Sequence, residues 1–201
     1  MQRTVTSGPP KRRPELARGF KTRAESLALA VRRELGITVE DPFDPWKLAA
    51  RRGVQVIELQ DLVLQGFSAA GLRHLSRNPR VSAAYDVVDG MPFVLLFGER
   101  AQTRRMSDLA HELSHHELGH MPTEAFNSIG CRKWNAPQEA EANWLAGCLL
   151  VPAEGALAVL KRGLTLGDAA ATFNVSRQMF VWRANMTGAM KRAGLGRGGT
   201  P

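Results

Sequence analysis

The stretch Arg104-Arg105-Met106-Ser107-Asp108-Leu109-Ala110-His111-Glu112-Leu113-Ser114-His115-His116-Glu117-Leu118-Gly119-His120 decides the reading of this chain. Met106, Leu109, Ala110 and Leu113 recur at spacings of three and four, which predicts a helix with one buried stripe. His111 and His115 are four residues apart on it, a rotation of about 400°, so their imidazoles emerge about 40° apart and one turn along. Both can ligate one cation. Neutral imidazoles suit zinc, and Glu112 projects beside the metal, where it can take a proton from bound water. A catalytic zinc also needs a third protein ligand and an open position. Glu139 is the candidate, with Asn143 one turn later on the same face to steady the coordination sphere. A site of two histidines and one glutamate accepts manganese as well as zinc.

A second His-Glu-x-x-His, His116 to His120, adjoins the first. His116 lies about 140° around the helix from His111, so this pair is expected to point away from the first. The first register has the buried mid-helix setting, whereas the second runs into a Gly-His-Met-Pro helix end. His116, Glu117 and His120 are accordingly expected to be exposed or capping groups.

Outward from this helix, Phe20 to Leu35 reads as an amphipathic helix stopped by Gly36, and Asp44-Pro45 opens another that ends at Gly53. Val54 to Leu59, Val81 to Val88 and Phe93 to Phe97 are short β-rich runs and read as three strands. Asp89-Gly90 signals a hairpin between the last two, loosened by Pro92. Asn135 and Pro137 open a long helix that runs to Leu150 and closes before Pro152. The remainder to Ala193 is helical with a turn at Asn174, and no internal repeat is evident.

The 201 residues, 44% of them hydrophobic, suffice for one globular domain with extras and argue against a disordered or fibrous chain. No apolar run is long enough to cross a bilayer and the start lacks a signal-peptide core, so a cytoplasmic protein with no membrane partner is expected. The net charge of +8 is uneven. Residues 1–33 hold nine basic and two acidic groups and residues 161–201 seven and one, against eleven and sixteen between them. Basic ends of this kind can touch phosphates nonspecifically or serve as solubilising tails. Cys131 and Cys148 read as ordinary reduced thiols.

The chain resembles the ImmA/IrrE family of zinc-dependent metallopeptidases, which act on transcriptional repressors in phage, mobile-element and stress responses. The likeness spans about residues 18–185. Phe20 through Gly36, Pro42-Phe43-Asp44 to Leu48-Ala49 and Gly53-Val54 are similar to the family's opening helices and first strand. Arg104 to Ala110 leads into His111-Glu112-Leu113-Ser114-His115 as the family's motif is introduced, although Ser107-Asp108 stands where Phe-Thr is common. Glu139-Ala-Glu141-Ala-Asn143-Trp-Leu-Ala-Gly-Cys-Leu-Leu150-Val151-Pro152 resembles its second motif. In these relatives the metal-binding Glu stands four residues before the Asn, which implies Glu139 rather than Glu141. An additional oxyanion donor is usual in such sites, and Tyr85, the only tyrosine, and His74 are the candidates.

Leu166 to Met179 has the rhythm of helix, tight turn, helix, with Phe173-Asn174-Val175 at the turn and Ser176 as N-cap. A second helix reading DNA would use Arg177, Gln178 and Arg183. The other reading is a helical pair that packs on the catalytic domain or docks a protein substrate.

These features together predict an α+β, minimal zincin-like domain. A small three-stranded sheet and the helices carrying His-Glu-x-x-His and the downstream Glu are followed by a helix-turn-helix-like segment. The expected divisions are a flexible basic arm over 1–17, the peptidase domain over 18–152, the C-terminal helical segment over 153–193 and a disordered tail over 194–201. The expected function is a zinc endopeptidase of narrow specificity for a regulatory protein, a helix-turn-helix repressor. Its rival is a DNA-binding or partner-binding regulator on the same scaffold that performs no proteolysis.

Overall fold

The computed structural model describes residues 16–58, 61–62, 82–97, 100–120 and 135–195. Residues 1–15 of the basic arm, His74, Cys131 and the tail from 196 lie outside the described residues. Helix α1 (Phe20–Glu34) buries Phe20, Ala24, Ala28 and Val31. Helix α2 (Pro45–Arg52) starts where the Asp44 carboxylate accepts the Trp46 N–H at 3.0 Å, and it ends at Gly53, which takes the left-handed φ of 67° that glycine adopts at no steric cost.

Strands β1 (Gln55–Glu58), β2 (Ala83–Val88) and β3 (Met91–Leu96) form a mixed sheet in the order β1-β3-β2, with β1 parallel and β2 antiparallel to β3. Asp89 and Gly90 both take positive φ, 50° and 78°, as a two-residue hairpin turn of type I′ requires. Pro92 does not loosen this hairpin: pairing runs unbroken through Val87↔Pro92 to Val88↔Met91. The reason is alternation. With Val88↔Met91 closing the turn as a hydrogen-bonded pair, Val87↔Pro92 is a non-bonded one, so β2 asks no N–H of Pro92. On its other side β1 reaches only Phe93.

The same alternation leaves Tyr85, opposite Val94, with its N–H on the outer edge of the sheet. One sheet face carries Ala83, Tyr85, Val94 and Leu96 into the main core, and the other packs Ala84, Leu95 and Phe97 with Ile57, Leu62 and Phe93.

Helix α3 (Gln102–Glu117) lies between this sheet and α4 (Ala136–Leu150), and α1 packs on α4. Asn135 caps α4 by accepting the Gln138 N–H. Four shorter helices follow: α5 (Ala153–Lys161), α6 (Leu166–Thr172), α7 (Arg177–Met186) and α8 (Ala189–Arg192). α6 and α7 meet at a tight turn with Asn174 at φ 52°, Ser176 capping α7 and Phe173 stacked on Phe180 at 5.9 Å. One hydrophobic cluster runs from Phe20 of α1 to Ala189 of α8. The described chain is therefore an α+β structure of eight helices and a small three-stranded mixed sheet, consistent with a minimal zincin-like domain. No single described helix is long and apolar enough to cross a membrane. The apolar pair α4 and α5 is bent by 43° and forms part of the core.

Candidate metal centre

α3 and α4 bring three donor atoms together. His111 Nε2 lies 3.2 Å from His115 Nε2 and 3.2 Å from Glu139 Oε2, and His115 Nε2 lies 3.5 Å from Glu139 Oε1. The ligand atoms of His111, His115 and Glu139 all fall within 4.8 Å of one another. The side chains of His115 and Glu139 are buried, whereas that of His111 is 18% exposed, so the centre opens to solvent on the His111 side. Two imidazole nitrogens and one carboxylate oxygen converging at a half-buried point are the donor set of a divalent metal ion. Asn143 Nδ2 donates to the main-chain carbonyl of Glu139 at 2.7 Å, a bond along α4.

Glu112 is buried, and its Oε2 accepts the main-chain N–H of Tyr85 at 2.9 Å. The outer edge of β2 thus orients the acid that follows the first histidine. The Tyr85 phenol is held 3.0 Å from His116 Nδ1, with the rings edge-to-face at 5.7 Å. Burial, with a smaller effect of Asp86, pushes the phenol above its ordinary pKa. Tyr85 therefore meets Glu112 through its main chain, while its hydroxyl is engaged by His116.

The second His-Glu-x-x-His is not an exposed set. The Glu117 side chain is 6% exposed and takes Arg52 in a two-pronged pair, Nε to Oε1 at 2.6 Å and Nη2 to Oε2 at 3.2 Å. This pair, with the Arg52 to Glu34 bridge, holds the Arg52 pKa above its ordinary value. His120 is off the helix altogether. α3 ends at Glu117 with Leu118 as its C-cap, Gly119 turns left-handed at φ 64°, and the His120 N–H caps the carbonyl of His115 at 2.9 Å while the Gly119 N–H caps that of His116. Helical angles do not apply past that turn, and the His120 ring comes back against His115, Nδ1 to Nδ1 at 3.0 Å. Its Nε2 faces Glu141 Oε2 at 3.2 Å. Gly119 was the sequence signal for this reversal.

The family model of the IrrE N-terminal-like domain, a peptidase family, matches residues 33–185. The chain belongs to this family. No curated protein and no solved structure matches it. The IrrE-like match runs from α1 into α7 and includes His111, His115, Glu139 and Glu112, so the centre described above belongs to a metallopeptidase-type domain and its three donor side chains could hold a metal ion.

Of the three residues named for DNA, α7 exposes Arg177 and Gln178 but not Arg183. Arg183 is fully buried: its Nε donates to Val151 O at 3.0 Å and its Nη2 contacts Glu25 and Cys148 Sγ. Gly147 of α4 permits this, because a Cβ there would lie 2.7 Å from the Trp182 ring and 3.2 Å from Arg183 Cδ. The missing side chain lets α7 close onto α4 and draws Arg183 inward, so it cannot contact DNA in this fold.

Proposed function

We propose that this domain is a zinc-dependent endopeptidase of narrow specificity that cleaves a regulatory protein, a helix-turn-helix repressor being the substrate class that the family resemblance supplies. The observation that carries the reading is Glu112, buried next in sequence to a ligand and oriented by the Tyr85 N–H. A module that only stored a metal or bound a partner would have no use for such an acid.

His111, His115 and Glu139 would hold the ion. Zinc is favoured over manganese, since nitrogen and oxygen sites bind it more tightly. A zinc ion held there would supply polarisation of the scissile carbonyl and acidification of water. Glu112 takes the proton of the attacking water on its carboxylate and passes it to the departing amine, and the Tyr85 N–H keeps that carboxylate in one orientation throughout. The partly exposed His111 side is where an extended segment of substrate enters.

The test is incubation of the zinc-loaded protein with candidate repressors beside Glu112→Gln. The reading predicts cleavage by the parent, loss of about 100-fold to 10,000-fold in the variant, and equal zinc content in both. Equal processing by the variant overturns it. A second reading rests on Arg177 and Gln178, exposed just after a tight turn: contact with DNA through α7. It predicts salt-sensitive binding that Arg177→Glu weakens.

A further inference from the structure

The second His-Glu-x-x-His contributes none of the three donors, yet its last residue touches one of them. His120 lies between His115 and Glu141, Nδ1 to Nδ1 at 3.0 Å on one side and Nε2 to Oε2 at 3.2 Å on the other. The His120 side chain is 9% exposed. The contact is also anchored by the backbone, since the His120 N–H caps the His115 carbonyl.

The proton positions along this row follow from elementary valence. A neutral imidazole carries one N–H and one lone pair. His115 Nε2 faces His111 and Glu139, so as a metal ligand it presents its lone pair there, which puts its proton on Nδ1. That N–H then donates to His120 Nδ1, which must be the acceptor. The His120 proton is therefore on Nε2, where it donates to the Glu141 carboxylate. Each step leaves one choice for the next, and a carboxylate, which only accepts, closes the row.

We propose that His120 and Glu141 are positioning residues of the metal centre: Glu141 fixes the tautomer of His120, and His120 fixes the ring and tautomer of His115, so that Nε2 is held as a ligand toward His111 and Glu139. This rests on the metallopeptidase reading above. It assigns a role to the doubled motif and to the second acid of Glu139-Ala140-Glu141. The two acids are two residues apart on α4, and one supplies a donor while the other supports a donor of α3 from behind. Partners of this kind raise ligand basicity and reduce the freedom lost on binding, and their removal costs about 10-fold to 100-fold in metal affinity.

The experiment measures zinc affinity by competition with a chromophoric chelator for the parent, His120→Ala, Glu141→Gln and the double variant, with circular dichroism confirming the fold of each. The expected result is a fall of about 10-fold to 100-fold for each single change. The double variant should be no weaker than His120→Ala, because Glu141 acts through His120. Nitrogen-15 correlation spectra of the zinc-loaded parent supply a readout that needs no variant, and they should show His120 protonated on Nε2 and His115 on Nδ1. Single variants with parental affinity, strictly additive losses, or His120 protonated on Nδ1 would each overturn the relay. A parent that takes up no zinc overturns the metallopeptidase reading and the relay with it. A parent that binds zinc beside variants of equal affinity overturns the relay alone.

Discussion

Tyr85 donates its main-chain N–H to Glu112 Oε2 at 2.9 Å, so the outer strand of the sheet grips the acid of the helix that carries both histidine donors. This link is made by the main chain and does not use the tyrosine hydroxyl. Tyr85→Phe removes only the hydroxyl that meets His116, and the expected outcome is a less than about ten-fold fall in kcat. A phenol acting as oxyanion donor would cost about 100-fold to 1,000-fold. Steady-state kinetics on a cleaved substrate separates the two.

Glu139, and not Glu141, is the α4 carboxylate that lies with His111 and His115 in the group able to hold a metal ion. Glu139→Ala leaves two imidazoles, too few for a structured three-ligand centre, and should reduce bound metal from about one ion per chain to a small fraction. Glu141→Ala should keep most of the metal at saturating zinc. Elemental analysis of the two variants after equilibrium dialysis against zinc-containing buffer, with the zinc of the outer buffer subtracted, checks the contrast, and equal loss would mean that the donor assignment is wrong.

Much of this arrangement was legible in the residues themselves. Asp44-Pro45, Asn135 and Ser176 mark helix starts because their short side chains accept a first-turn N–H, and Asp89-Gly90 marks the hairpin because both positions need positive φ. The His111 and His115 spacing is helical arithmetic. What escaped the sequence depends on events beyond one helix. The left-handed turn at Gly119 carries His120 back under His115, and the bare backbone of Gly147 lets α7 approach close enough to bury Arg183. A cation at a helix surface and a cation in a helix-helix seam read alike until the packing partner is known.

Gly155 lies in the first turn of α5, where a Cβ would overlap the main-chain carbonyl oxygen of Val39 and lie 3.1 Å from the Phe173 ring. Helix propensity favours alanine by about 1 kcal/mol. Overpacking against a fixed carbonyl costs about 1–3 kcal/mol and wins. Gly155→Ala should therefore lower the denaturation midpoint at an unchanged m-value, whereas an unchanged or raised midpoint would show that the Val39 segment can yield.

Cys148 is fully buried, and burial pushes its thiol from 9.0 up to about 12, against the opposing pull of Arg183. In the unfolded chain the thiol ionises near its ordinary value of 9.0. Between about pH 9 and 12 the unfolded state thus holds fewer protons than the folded one. Its contribution to stability is fully present below that window and is lost as pH rises through it. Thermal melts from pH 8 upward should show a shallower decline for Cys148→Ala than for the parent. The slope is the diagnostic, since the cavity left by the substitution lowers stability at every pH.

Arg177 and Arg183 stand six residues apart in α7 and should respond oppositely to the same reversal of charge. Arg177 is exposed, so Arg177→Glu removes one cation from the surface and leaves stability within about 0.5 kcal/mol. Arg183 is enclosed by Glu25, Val151, Cys148 and the Trp144 ring, 5.4 Å from its guanidinium. Arg183→Glu places a second carboxylate beside Glu25 in a buried seam, and breaking a buried pair in this way costs about 3–5 kcal/mol or more. The expected outcome is a folded, parent-like Arg177→Glu and an unfolded or strongly destabilised Arg183→Glu in parallel urea titrations. Only the first variant can then test DNA contact, because any loss of binding by the second would report the loss of the α1, α4 and α7 seam. Parental stability for Arg183→Glu would place the side chain at the surface and return it to the set of residues able to meet DNA.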